Sequence, residues 1–178
     1  SVLELNKNGA KRQFILATNN EGNICTEVTQ PRLEKVINGY TGVKTNTTYN
    51  GLGGNLKYYK TSFVANNRNK DQLKIDITKR CTEMLCLKEG IFNLIKDEED
   101  YKIFHQGNRY LAVYYDFANA SLDELKDVMN TLKGEKVLYC FTVDTNGLDK
   151  ANFSDWKNIR LEPIPQKILD VYKRIFKN

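Results

Sequence analysis

At 178 residues, with a formal charge of +5, 40% hydrophobic and 28% charged side chains, the chain is long enough for one ordinary core or two small ones and too apolar for a disordered one. The mild basicity tolerates a polyanionic partner without requiring one. No apolar run approaches the ~18 residues that span a bilayer, and no basic segment leads into an apolar signal core, so a cytoplasmic protein with no membrane partner is expected.

In chain order, Ser1 to Asn6 reads as the tail of an amphipathic helix stopped by Asn8-Gly9. Gln13-Phe14-Ile15-Leu16-Ala17 follows as an apolar strand that runs into Thr18-Asn19-Asn20-Glu21. Helix, turn and buried strand ending in polar residues is the second half of a βαβ nucleotide site, in which a polar or acidic side chain at that strand end holds the ribose hydroxyls. The strand and glycine-rich turn that should come before are absent and no Met opens the sequence, so a fragment of a larger protein is expected. Glu21 could accept two hydrogen bonds from vicinal hydroxyls; an ordinary loop glutamate fits the same pattern equally well.

A helix should begin near Thr29, an N-cap with Pro31 in the first turn, and carry Leu33, Val36, Ile37 and Tyr40 until Gly39 and Gly42 end it. Residues 41–55 read as a loop or short hairpin, and Leu56 to Val64, rich in strand formers, as a strand. Polar Asn66 to Gln72 marks the best boundary between two subregions. Beyond it, Leu73, Ile77, Cys81, Met84 and Leu85 keep helical spacing. Tyr101–Phe104 and Tyr110–Tyr115 then read as strands around Gln106-Gly107-Asn108. Ser121 to Glu124 is a capping-box signature ahead of Leu125, Val128, Met129 and Leu132, with Gly134 as the stop. Val137–Val143 is an interior strand and Asn158–Glu162 a short one. A final helix shows one apolar stripe through Ile168, Leu169, Tyr172, Ile175 and Phe176.

The fold class expected is therefore α/β: an incomplete Rossmann-like half over residues 1–65, followed by a small α/β module over 73–178.

Conventional chemistry finds little support. The single His105 has no partner at metal-ligand spacing. Cys81 and Cys86, five apart, should point to different faces of a helix, unlike a zinc pair. With Cys25 and Cys140 they are scattered among apolar neighbours, as buried thiols of a reduced compartment are. One histidine cannot serve nucleophilic catalysis well. Gly51-Leu52-Gly53-Gly54 could cradle a phosphate through backbone amides, but it lacks the Lys-Ser/Thr ending of a P-loop and precedes a strand, so a surface turn fits better. Asp97-Glu98-Glu99-Asp100 matches no calcium loop and reads as a solvated turn. Lys57-Tyr58-Tyr59-Lys60 and Tyr172-Lys173-Arg174 mix bases with aromatics; in the second, Tyr172 belongs to the apolar stripe.

Ser1 to Lys7, Arg12 to Glu21 and Gly51 to Phe63 closely resemble the modification (Mod) subunit of type III restriction-modification systems, and Thr82 to Cys86 and Pro163 to Phe176 resemble its C-terminal end. The resemblance covers nearly the whole chain. It implies an S-adenosylmethionine-dependent DNA adenine-N6 methyltransferase that works on a flipped base. Its implied partners are DNA, a second Mod copy in a homodimer, and the restriction (Res) helicase-nuclease subunit. The family's catalytic Asp-Pro-Pro-Tyr loop and Gly-rich cofactor loop do not occur in these residues, so this piece by itself should not methylate, and no catalytic or metal-binding residue is expected. Asn19, Asn20 and Glu21 match the ribose-binding strand end, with the carboxylate displaced to Glu21. Residues 73–178 would be an accessory region suited to subunit assembly. A non-catalytic module that assembles the restriction-modification complex without touching cofactor is the alternative. A basic nucleic-acid-binding domain is a third reading, which so small a net charge favours least.

Overall fold

A computed structural model describes residues 2–10, 12–116, 122–142 and 150–176. The chain separates into two units, residues 1–62 and 63–178.

The second unit is built on a five-stranded mixed sheet in the order β3-β4-β5-β6-β7, formed by β3 (Asn93–Asp97), β4 (Tyr101–Gln106), β5 (Arg109–Asp116), β6 (Glu135–Thr142) and β7 (Ile159–Glu162). β3, β4 and β5 are an antiparallel meander, whereas β5-β6 and β6-β7 pair in parallel. Parallel neighbours need a crossover, and α4 (Asp123–Thr131) lies in the first of them. β5 and β6 are covered on both faces, which is why they read as unbroken apolar runs. On one face Leu111, Val113, Tyr115, Val137, Tyr139 and Phe141 pack with Cys81, Leu85 and Cys86 of α3 (Lys70–Glu89) and Ile168 of α5 (Gln166–Phe176). On the other, Ala112, Tyr114 and Leu138 pack with Leu125 and Met129 of α4 and with Phe153 and Trp156. The alternation of side chains along a strand sorts the two sets.

α3 starts at Lys70 because Asn69 accepts from the backbone N–H groups of Asp71 (3.0 Å) and Gln72 (3.2 Å). Residues 70–72, expected in the boundary stretch, are thus the first turn of the helix. Left-handed Gly90 (φ 68°) ends it, with its N–H on the Cys86 carbonyl at 2.8 Å. The helix buries Leu73, Cys81 and Leu85 as expected, but Met84 is half exposed, and Thr78, Thr82, Cys86 and Glu89 turn inward. Cys81 and Cys86, expected on different faces, both reach the same core cluster, because the buried arc of α3 is wide enough to include both positions. Cys25 and Cys140 are only partly buried, and none of the four cysteines is joined in a disulfide.

Several expected boundaries move. Ser1, Ser121 and Val143 lie outside the described residues, as do the side chains of Tyr172, Ile175 and Phe176. The residue before α4 is Leu122, which supplies no side-chain cap. β3 was not expected: it is an edge strand with a register shift between Leu94 and Lys96, and Leu94 and Ile95 are both exposed.

The first unit is sparser. α1 (Val2–Asn6) is followed by a turn closed by Asn6, whose amide donates to the Arg12 carbonyl (2.9 Å) while its oxygen accepts from the Arg12 N–H (3.0 Å). Residues 12–20, expected to hold a buried strand, contain no ladder partner; Ile15 is 79% and Leu16 60% exposed. A strand needs a neighbour to take its backbone hydrogen bonds, and none is described beside this segment. A single π-type turn (Ile24–Thr29) then runs into α2 (Gln30–Asn38), so Thr29 is itself helical and makes no side-chain cap. Tyr40 leaves the helix for β1 (Gly39–Thr41), which pairs with β2 (Thr48–Asn50) and stacks Tyr40 on Tyr49 at 4.9 Å. The strand expected over residues 56–64 does not form, for the same lack of a neighbour. None of the described residues of this unit is buried.

Candidate functional site

Asn19, Asn20 and Glu21 do come together at one turn. Asn20 directs its side-chain oxygen at the N–H groups of Cys25 (2.9 Å) and Thr26 (3.2 Å), so it caps the turn that follows. Gly22 and Asn23 reverse the chain in between with positive φ, both 59°. The Asn19 amide donates to Glu21 Oε2 at 3.3 Å. The Asn20 side-chain oxygen is therefore used in local structure. The exposed Glu21 carboxylate, steadied by Asn19, remains open as an acceptor pair of the kind a ribose diol takes. The unit's hollow of about 310 Å³, between α2 and residues 54–58, includes none of the three.

The Gly51–Gly54 loop has another occupation. The N–H groups of Leu52 and Gly53 donate to the Val36 and Ile37 carbonyls at 2.9 and 3.0 Å, satisfying the open end of α2. A Cβ on Gly51 would sit 2.3 Å from the Ile37 oxygen. These glycines serve close backbone approach, and two of the amides that could have cradled a phosphate are used. The acidic run turns the chain from β3 to β4, with Asp97 paired to Lys102 at 2.7 Å and Glu98 to Lys96 at 3.4 Å. Among the described residues no group of histidine, cysteine and carboxylate side chains could hold a metal ion.

A more elaborate constellation lies at the sheet end where β5, β6 and β7 begin. Glu89, the last residue of α3, has a side chain only 7% exposed. Its Oε1 accepts from the Tyr139 hydroxyl at 2.6 Å, and its Oε2 from Arg160 Nη2 at 3.1 Å. Lys88 donates to the same Tyr139 oxygen at 2.7 Å, and Arg160 also bonds Glu162. Arg109 Nη2 stands 3.7 Å from Glu89 Oε2, and its Nε 3.6 Å from Glu135. A buried carboxylate requires such partners. Burial, followed by the hydrogen bond to Glu89, holds the Tyr139 hydroxyl well above the ordinary phenol range. An open cleft of about 370 Å³ adjoins this cluster, with Arg109, Tyr110, Glu135 and Arg160 at its polar edge and Ile91, Val137 and Ile159 as apolar wall.

None of this cluster was anticipated. Its members come from α3, β5, β6 and β7, with Glu89 and Arg160 alone 71 positions apart, so no local spacing announces them. The only hint was a Lys-Glu pair just before a helix-ending glycine.

No family model, curated protein or solved structure matches the chain.

The structure by itself establishes a mixed α/β protein with a five-stranded mixed sheet and flanking helices. Among the described residues no helix is long and apolar enough to cross a membrane.

Proposed function

We propose that the chain is the C-terminal part of a type III Mod subunit, an S-adenosylmethionine-dependent DNA adenine-N6 methyltransferase. In this reading the first unit completes a Rossmann-like cofactor domain and the second serves assembly with a second Mod copy and a Res subunit. The observation that carries it is the run 13–17. Five mostly apolar residues stand without a ladder partner, with Ile15 and Leu16 largely in water, which suits a strand whose sheet neighbours come from elsewhere in a larger domain. The polar turn directly after it supports the same reading, because the exposed Glu21 carboxylate has acceptor capacity beyond its bond from Asn19. Neither the catalytic Asp-Pro-Pro-Tyr loop nor the Gly-rich cofactor loop occurs in residues 1–178, so the piece alone should be inactive.

The alternative, a non-catalytic assembly module, draws on the second unit, which buries its own two-sided core. Two experiments separate them. Sequencing the DNA upstream of the Ser1 codon should reveal an in-frame Gly-rich loop directly before it and Asp-Pro-Pro-Tyr further back; a start codon there instead would sink the methyltransferase reading. Calorimetric titration of the protein carrying any such upstream segment should show S-adenosylmethionine binding that Glu21→Ala weakens, whereas an assembly module would show none.

A further inference from the structure

The cleft at the start of β5, β6 and β7 lies in the second unit and stands apart from the cofactor reading. We propose that it binds a small phosphorylated ligand, whose phosphoryl group is held between Arg109 and Arg160.

The argument starts from the buried carboxylate. Glu89 is fixed by the Tyr139 hydroxyl on one oxygen, and its other oxygen gathers both guanidiniums, at 3.1 Å for Arg160 and 3.7 Å for Arg109. Two planar forks are thereby brought over one point before any ligand arrives, which lowers the ordering cost of binding. Guanidinium is the group whose donor geometry matches phosphate oxygens.

Arg109 is the less satisfied of the pair. Its two ion pairs, at 3.6 and 3.7 Å, are both longer than a hydrogen bond. Its rim partner Glu135 is 82% exposed, so displacing that contact costs little. Lys88, Lys133 and Lys157 add exposed or half-exposed positive charge at the same sheet end, against the carboxylates of Glu89, Glu135 and Glu162. Lys136 also lines the cleft, but it is buried and donates to the Met129 carbonyl at 2.8 Å, on the α4 side.

The apolar wall gives room for an organic portion beside the phosphoryl group. A cleft of about 370 Å³ is metabolite-sized, at the small end of ligand sites.

The test is titration of the whole 178-residue chain, followed by backbone amide NMR, with pyrophosphate, adenosine 5′-monophosphate, uncharged adenosine and a short DNA oligonucleotide, at ionic strength held constant with chloride. Saturable shifts centred on Arg109, Tyr110, Glu135 and Ile159 are expected with both phosphates and not with adenosine. Arg109→Gln should weaken binding about tenfold or more, the scale of one lost charge-assisted contact, and Lys167→Gln on α5 should leave it unchanged. Glu135→Gln, an exposed change that removes the competing rim carboxylate, should tighten binding and serves if the arginine variant fails to fold. Pyrophosphate binding as tightly as the nucleotide supports a bare phosphoryl site; tighter nucleotide binding supports use of the apolar wall. No saturable shift, equal binding by Arg109→Gln, or saturation by the oligonucleotide alone would overturn the proposal.

Discussion

The hydroxyl of Tyr139, in the middle of β6, donates to Oε1 of Glu89, the last residue of α3, across 2.6 Å. It thereby links the central sheet to a helix end fifty positions away. Tyr139 is fully buried, and its hydroxyl also receives Lys88. Removing it by Tyr139→Phe leaves a buried carboxylate oxygen short of its donor, and the expected loss is about 1–3 kcal/mol. Urea denaturation should show a lower midpoint with unchanged slope. The double variant Tyr139→Phe/Glu89→Gln should lose less than the two single losses added together, because the carboxylate that needs the hydroxyl has gone.

Alkaline pH should unfold the second unit. Burial raises the hydroxyls of Tyr115 and Tyr139 well above the phenol range, reinforced at Tyr139 by Glu89 and opposed at Tyr115 by the Thr82 hydrogen bond. A group whose folded value is raised contributes stability fully present below its unfolded value and lost as pH rises towards the folded one. The unfolded value is about 10. Stability should therefore hold to about pH 10 and fall above it, read as a declining melting temperature that tracks tyrosinate absorbance. Flat stability across that range would contradict the burial of these hydroxyls.

Two glycines in neighbouring turns should respond differently to alanine. At Gly134 (φ +142°) a Cβ would lie 2.3 Å from the Asn108 carbonyl oxygen, a backbone atom that cannot easily move. At Gly107 (φ +61°) it would meet nothing within 4 Å. Gly107→Ala should cost only the left-handed penalty of about 1–2 kcal/mol. Gly134→Ala should lower the melting temperature further, because it adds a clash where Glu135 N–H bonds the same Asn108 oxygen at 3.0 Å and fixes the start of β6.

The start of α3 rests on one side chain. Asn69→Ala removes the acceptor for Asp71 and Gln72 N–H and should cost about 1 kcal/mol. Asn69→Asp should retain most of that stability, since aspartate caps equally well and adds favourable charge at the helix N-terminus.

The sequence was most readable where burial is two-sided. Tyr110–Tyr115 and Val137–Thr142 announce themselves because both faces are covered, and Gly107-Asn108 marks the hairpin between β4 and β5 as expected. Reading failed at the margins of the sheet. β3 has Leu94 and Ile95 adjacent, both exposed across a bulge, so no alternation betrays it. The errors at 13–17 and 56–64 run the other way. Strand-forming composition expresses fit to a pleated neighbour more than a preference of the isolated backbone, and no neighbour is described for either segment. At the polar turn, Asn20's capping role was not legible, because its targets lie beyond a chain reversal at Gly22-Asn23. The Glu89 cluster had little sequence signature beyond its Lys-Glu pair ahead of Gly90, since four separate elements supply it.

Because buried side chains begin only at Leu73 among the described residues, heat absorbed on melting should not be spread evenly along the chain. Unfolding enthalpy tracks the packed interior, at about 0.7 kcal/mol per residue near 60 °C. A scanning calorimeter should therefore record one cooperative peak whose area scales with residues 63–178, and little additional heat from residues 1–62. On the reading proposed for the first unit, a longer protein carrying its sheet neighbours should enlarge that peak, and an unchanged area would count against a sheet for the apolar run at 13–17.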